Sequence, residues 1–88
     1  MKVKKDPNAV LDYTWNWSAW LGADTILAAS FETTGGLVVD AQVVNGPLVT
    51  AWVSGGTAEE GTVTCRITTA GLPARIDDRT LIFQIVQR

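Results

Sequence analysis

The strictest constraint in this chain is a period of two. Leu11, Tyr13, Trp15 and Trp17 alternate with Asp12, Thr14 and Asn16, which places every large apolar side chain on one face of an extended segment. A helix would scatter the same residues around its circumference. The pattern returns at Thr62–Thr69, where Val63, Cys65 and Ile67 oppose Thr62, Thr64, Arg66 and Thr68. Val, Ile and Thr together supply 26 of the 88 residues, so β-branched side chains that suit a pleated, half-buried surface dominate.

Turn signals divide the chain at intervals of about twelve residues. Ser18 to Asp24 reads as a compact connection with a single helical turn, and a second strand spans about Thr25 to Thr33 before Gly35-Gly36 breaks it. A third strand covers Leu37 to Val44, with Val39, Ala41 and Val43 as its inward phase. Asn45-Gly46-Pro47 is a hairpin turn, because Asn and Gly accept positive φ cheaply. Leu48–Ser54 and Thr62–Thr69 follow, then a long turn over residues 70–78 and a last strand from Arg79 to Gln87. The expected fold is all-β: a small antiparallel immunoglobulin-like β-sandwich of six to seven strands, with a small closed barrel as the alternative. Residues 1–8 are expected as a basic N-terminal arm and residues 9–88 as the single domain.

Charge is laid out by sign. Lys2, Lys4 and Lys5 are the only lysines, the four arginines begin at Arg66, and from Asp6 to Cys65 there are seven acids and no cation. That acidic middle repels a nucleic-acid duplex, and three lysines are too few to anchor one. In a sandwich the first and last strands are expected to lie close together, so the two cationic ends converge on one side. A cationic end and an acidic body suit contact between protein subunits.

The chemical inventory is short. With no histidine and one cysteine, Zn²⁺ ligand sets, Ser-His-Asp and Cys-His arrangements and an intrachain disulfide have no residues to build them. Cys65, in an alternating stretch, reads as a small buried hydrophobe. Carboxylate pairs remain, at Glu59-Glu60 and Asp77-Asp78, but neighbours on an extended chain point apart and both pairs fall in expected turns. Asp24 with Asp77 and Asp78 matches no cation loop. No metal or cofactor is expected, and no catalysis. Met1-Lys-Val-Lys-Lys resembles the start of a signal peptide, yet Asp6-Pro7-Asn8 follows where an apolar stretch should be. No apolar run reaches the roughly 18 residues of a membrane span, so the expected compartment is the cytoplasm.

Apolar residues exceed what one core needs. Trp52 shares its phase with Thr50 and Ser54, opposite Val49, Ala51 and Val53, and Ile82 and Val86 sit opposite Leu81, Phe83 and Ile85. Trp20 lies in the connection after the first strand. The expected partner-binding set is therefore Lys2, Lys4, Lys5, Trp20, Trp52, Ile82 and Val86. Four tryptophans also admit a carbohydrate-binding module, which requires Trp15, Trp17 or Trp20 in an exposed row.

The runs Lys5-Asp-Pro-Asn-Ala-Val-Leu-Asp-Tyr13, Trp17-Ser-Ala-Trp-Leu-Gly-Ala-Asp-Thr-Ile26, Trp52-Val-Ser-Gly-Gly-Thr57 and Asp77-Asp-Arg79 resemble a family of small virion proteins of tailed bacteriophages, of the structural or fibre-tail adaptor type. The resemblance covers nearly the whole chain and carries over no catalytic or ligand residue. It implies a β-sandwich connector, or a capsid decoration protein, assembled in the host cytoplasm and held in the virion in several copies against other virion proteins. It also implies no enzymatic activity, and no nucleic-acid, membrane or small-molecule ligand is expected of the chain. This chain departs from the family at Gly71-Leu-Pro-Ala-Arg75, where the family's turn is shorter.

Overall fold

Alternating apolar faces can be buried only by a second layer, and the computed structural model, which describes residues 2–86, supplies it as two packed sheets. In chain order the elements are β1 (Lys2–Lys5), β2 (Leu11–Asn16), α1 (Ser18–Leu21), β3 (Ile26–Thr33), β4 (Leu37–Asn45), β5 (Leu48–Gly55), β6 (Glu60–Thr69) and β7 (Ile76–Ile85). One sheet has the order β1-β7-β6-β3 and the other β2-β5-β4. All neighbours are antiparallel except β1 and β7, which run parallel. This is the immunoglobulin-like sandwich, with the first strand joined to the sheet of the last. The first and last strands do lie side by side, but Lys2 and Lys4 stand opposite Ile82 and Gln84 while Arg75 sits over Trp20, and Arg88 lies outside the described residues.

The core forms between the sheets. Trp15 and Trp17 from the β2 side meet Val49, Val53, Val63, Ile67 and Phe83, with Leu21 and Leu37 closing the ends. Edge-to-face aromatic pairs tie the layers together, Tyr13 on Phe83 at 4.8 Å and Trp15 on Phe31 at 5.4 Å between centroids. Trp17 has no exposed surface, and its indole N–H makes no hydrogen bond among the described residues, the Cys65 thiol being the polar group beside it. Leu11 shares the phase of these residues but is 43% exposed at the start of its strand.

Four expectations need correction. Residues 2–5, expected as part of an arm, are an edge strand: Val3 and Lys5 sit opposite Phe83 and Ile85. Their lysines are what a protected sheet edge carries. In β4 the register shifts between Val39 and Ala41, so Gln42 and Val44 take the phase of Ala51 and Val49, though both stay exposed on this edge strand, while Ala41 and Val43 take the outward phase of Trp52 and Thr50. A bulge adds one residue and thereby reverses the phase. Asp77 and Asp78 belong to β7, not to a turn, because Arg66 on β6 takes both Asp78 oxygens at 2.7 and 3.0 Å. Glu60, also placed in a loop, opens β6. Of the last expected strand, Gln87 lies outside the described residues.

The turn from β3 to β4 depends on glycine. Gly35 has φ +69°, and a Cβ there would stand 2.7 Å from the Glu60 carbonyl oxygen. Threonine hydroxyls pair across neighbouring strands at Thr14–Thr50, 2.9 Å, and at Thr64–Thr80, 2.8 Å.

Candidate functional site

Directly opposed residues of an antiparallel pair share a face, so the registers define what each sheet shows outward. On the three-stranded sheet the rows are Asp12–Trp52–Ala41, Thr14–Thr50–Val43 and Asn16–Leu48–Asn45, with Ser54 beside Val38. Val38 and Val43 are each 50% exposed, and Trp52 is half-buried between Asp12 and Ala41. The paired rows of this face mix apolar with uncharged polar residues and carry one carboxylate, Asp12, and no cation, with exposed Asp40 in the bulge next to Ala41.

The four-stranded sheet shows a different surface. Its rows carry Lys4–Gln84–Glu60, Lys2–Ile82–Thr62, Thr80–Thr64–Glu32 and Asp78–Arg66–Ser30. Lys2 pairs with Glu60 at 2.9 Å, and Arg66 contacts both Asp78 and Glu32. Charge is balanced in place here.

These rows sort the residues expected to meet a partner. Trp52 stands on the three-stranded face, whereas Lys2, Lys4 and Ile82 stand on the four-stranded one, so the sandwich separates them by its whole thickness. Ile82 is half-buried between Lys2 and Thr62. Half-buried Val86 lies just past β7, where its N–H donates to the Lys5 carbonyl at 2.8 Å. Lys5 has no exposed surface; its ammonium donates to the carbonyls of Asp6, 2.9 Å, and Gly55, 2.8 Å. Burial pulls its pKa down against the opposing pull of Asp6 and Asp40. Lys5 pins the edge strand to β5 and is not presented to a partner.

Trp20 is also committed within the fold. Its ring lies edge-on to Trp17 at 5.5 Å and beneath the Arg75 guanidinium at 4.4 Å. Arg75 further donates to the carbonyls of Trp20 and Leu21, which α1 leaves without helical partners, and reaches Asp24 at 3.4 Å. Arg79 repeats the stack on Trp17, at 4.2 Å. With Trp15 and Trp17 buried and Trp20 half-buried under Arg75, the described residues show no exposed row of aromatic rings for a sugar. The sequence places Val43 in the inward phase and so misses it as a surface residue, and it leaves Val38, in the outward phase, out of the partner-binding set. Their only signal is Asp40, a charged residue interrupting an apolar run, where the register shifts.

No cluster of three metal-ligating side chains occurs among the described residues. Asp24 is held ionised below the ordinary carboxylate range by the Thr25 N–H first, then by Thr69, Arg75 and Gly71, against desolvation. Its contribution to stability is present above the unfolded carboxylate pKa and is lost as pH falls through the lowered folded value. Asp24→Asn is therefore expected to flatten the acid limb of the stability–pH curve, measured by urea unfolding between about pH 2 and 5. An unchanged acid limb would remove Asp24 from this role. Burial pushes the Cys65 thiol up to about 11. At pH 8 the folded protein is expected to resist a thiol-reactive disulfide reagent and to react at once in denaturant; rapid labelling of the native state would show an accessible thiolate.

Among known proteins, residues 5–84 match the family model described as podophage GP4 fiber-tail adaptor protein gp77. No curated protein matches the chain.

Proposed function

Because the chain belongs to this podophage fiber-tail adaptor family, we propose that it is a non-enzymatic virion protein, assembled in the host cytoplasm, that joins other virion subunits through the outer face of its three-stranded sheet. The observation that carries the reading is the Trp52 face itself, with Val38 and Val43 half exposed beside it and Asp12 as its only charge in the paired rows. A monomer gains nothing from showing water a tryptophan and two valines on adjacent strands, whereas an interface buries them. The occupant that fits is a virion subunit with an apolar surface rimmed by lysine or arginine, since the face offers a carboxylate and no cation. The shape also suits a connector: the domain measures 45 × 18 × 17 Å, so its two ends are well separated. Several copies in a symmetric assembly would present this face repeatedly.

Mass spectrometry of gradient-purified particles tests the reading. The protein is expected there at a fixed copy number relative to the tail subunits and is expected to stay through a high-salt wash, because an apolar interface does not depend on screened charge. Its absence from particles would overturn the assignment.

A further inference from the structure

Beyond the Trp52 face, a second feature has no role in the fold as it stands. Strand β7 is paired on one side by β6 along nearly its full length, but on the other side β1 reaches only Ile82–Ile85. The edge from Ile76 to Leu81 therefore meets no strand among the described residues. Strand β2 has the same condition, since β5 is its sole partner among them. These two half-open edges flank a groove of about 570 Å³, with Val3, Tyr13, Trp15 and Leu81 supplying apolar lining and Arg79 and Thr80 on the β7 side.

We propose that this groove seats an extended segment of another virion subunit, added as a strand beside β7 in the lane that β1 already occupies further along, with an apolar side chain against Tyr13, Trp15 and Leu81 and a carboxylate at Arg79. The inference rests on the adaptor reading above and names what the second surface would hold. An exposed edge presents main-chain donors and acceptors in a row, which an extended peptide matches and a small molecule does not. Strand β1 shows the format the lane accepts: Val3 faces inward opposite Phe83, between lysines that face outward. The charge of the occupant follows from the arginines. Arg66 faces Asp78 and Glu32, and Arg75 faces Asp24, while Arg79 has no ion pair among the described residues. Its guanidinium is stacked on Trp17 at 4.2 Å and donates to the Asn16 carbonyl at 2.8 Å. A guanidinium held flat in this way is already oriented for a carboxylate.

The test uses the full chain in assembled particles. Thr80 is replaced by the photoreactive residue p-benzoylphenylalanine, the particles are irradiated, and the cross-linked peptides are read by mass spectrometry. The expected result is one contiguous segment of a different virion subunit, apolar-alternating and containing Asp or Glu. In unmodified particles, amide exchange at those of Arg79, Thr80 and Leu81 that do not bond to β6 is expected to slow about tenfold or more relative to the free protein. Particles that contain the protein but give no cross-link and unchanged exchange overturn the strand inference alone. Cross-links confined to copies of this same chain overturn the stated occupant. Absence of the protein from particles overturns the adaptor reading, and this inference with it.

Discussion

Replacing Trp17 by alanine is expected to lower the free energy of unfolding by about 3–5 kcal/mol, the range for emptying a large buried aromatic site. Trp17 is completely buried, and three groups depend on its ring: Trp20 packs edge-on to it, Arg79 stacks on it, and Cys65 lies against its N–H. The loss therefore spreads beyond a cavity, since the arginine loses its seat and the short helix loses its inner contact. A small domain with about 5–15 kcal/mol to spare would be left near the edge of folding at 37 °C. Urea unfolding followed by circular dichroism measures the change, with Trp17→Phe as the milder comparison. A loss under about 1 kcal/mol would mean that Trp17 does not hold the two sheets together.

Trp52→Ala is expected to do the opposite, leaving the fold nearly intact while emptying the interface. Trp52 lies on a sheet surface, where a substitution costs about 1 kcal/mol or less, whereas a tryptophan at the centre of a docking face contributes about 2 kcal/mol or more to binding. A binding loss of about 2 kcal/mol corresponds to about 30-fold in affinity. Complementing a deletion phage with the variant and measuring its occupancy in particles against wild type gives the effect. Thermal unfolding of the free variant supplies the control. Normal occupancy with normal stability would assign docking to another surface.

The residues explain what could be read from the chain and what could not. Alternation in β2 and β6 identifies their strands and places Tyr13, Trp15, Val63, Cys65 and Ile67 toward the core, because a period of two has one meaning in a half-buried sheet. The same alternation marks Trp52 and Ile82 as outward but does not say outward from which sheet. Sheet membership comes from pairing between distant segments, such as Lys2 with Ile82 and Asp12 with Trp52, and local pattern carries no record of it. The bulge at Asp40 is a second limit, since one unpaired residue reverses the phase of Ala41 and Val43 without changing their identity. The third is β1, whose Lys-Val-Lys-Lys composition suits a solvated arm and a protected sheet edge equally well. Lys5 could not have been recognised as buried from sequence, because what satisfies it is the Gly55 carbonyl, fifty residues away.

Electron cryomicroscopy of intact virions shows which face of the domain meets the rest of the particle. Density is expected for a neighbouring subunit packed over Trp52, Val38 and Val43, with lysine or arginine near Asp12, and the outer four-stranded face is expected to be left to solvent. A reconstruction with the domain attached through the Lys2–Glu60 and Arg66–Asp78 face, and Trp52 open to water, would contradict the proposed docking face.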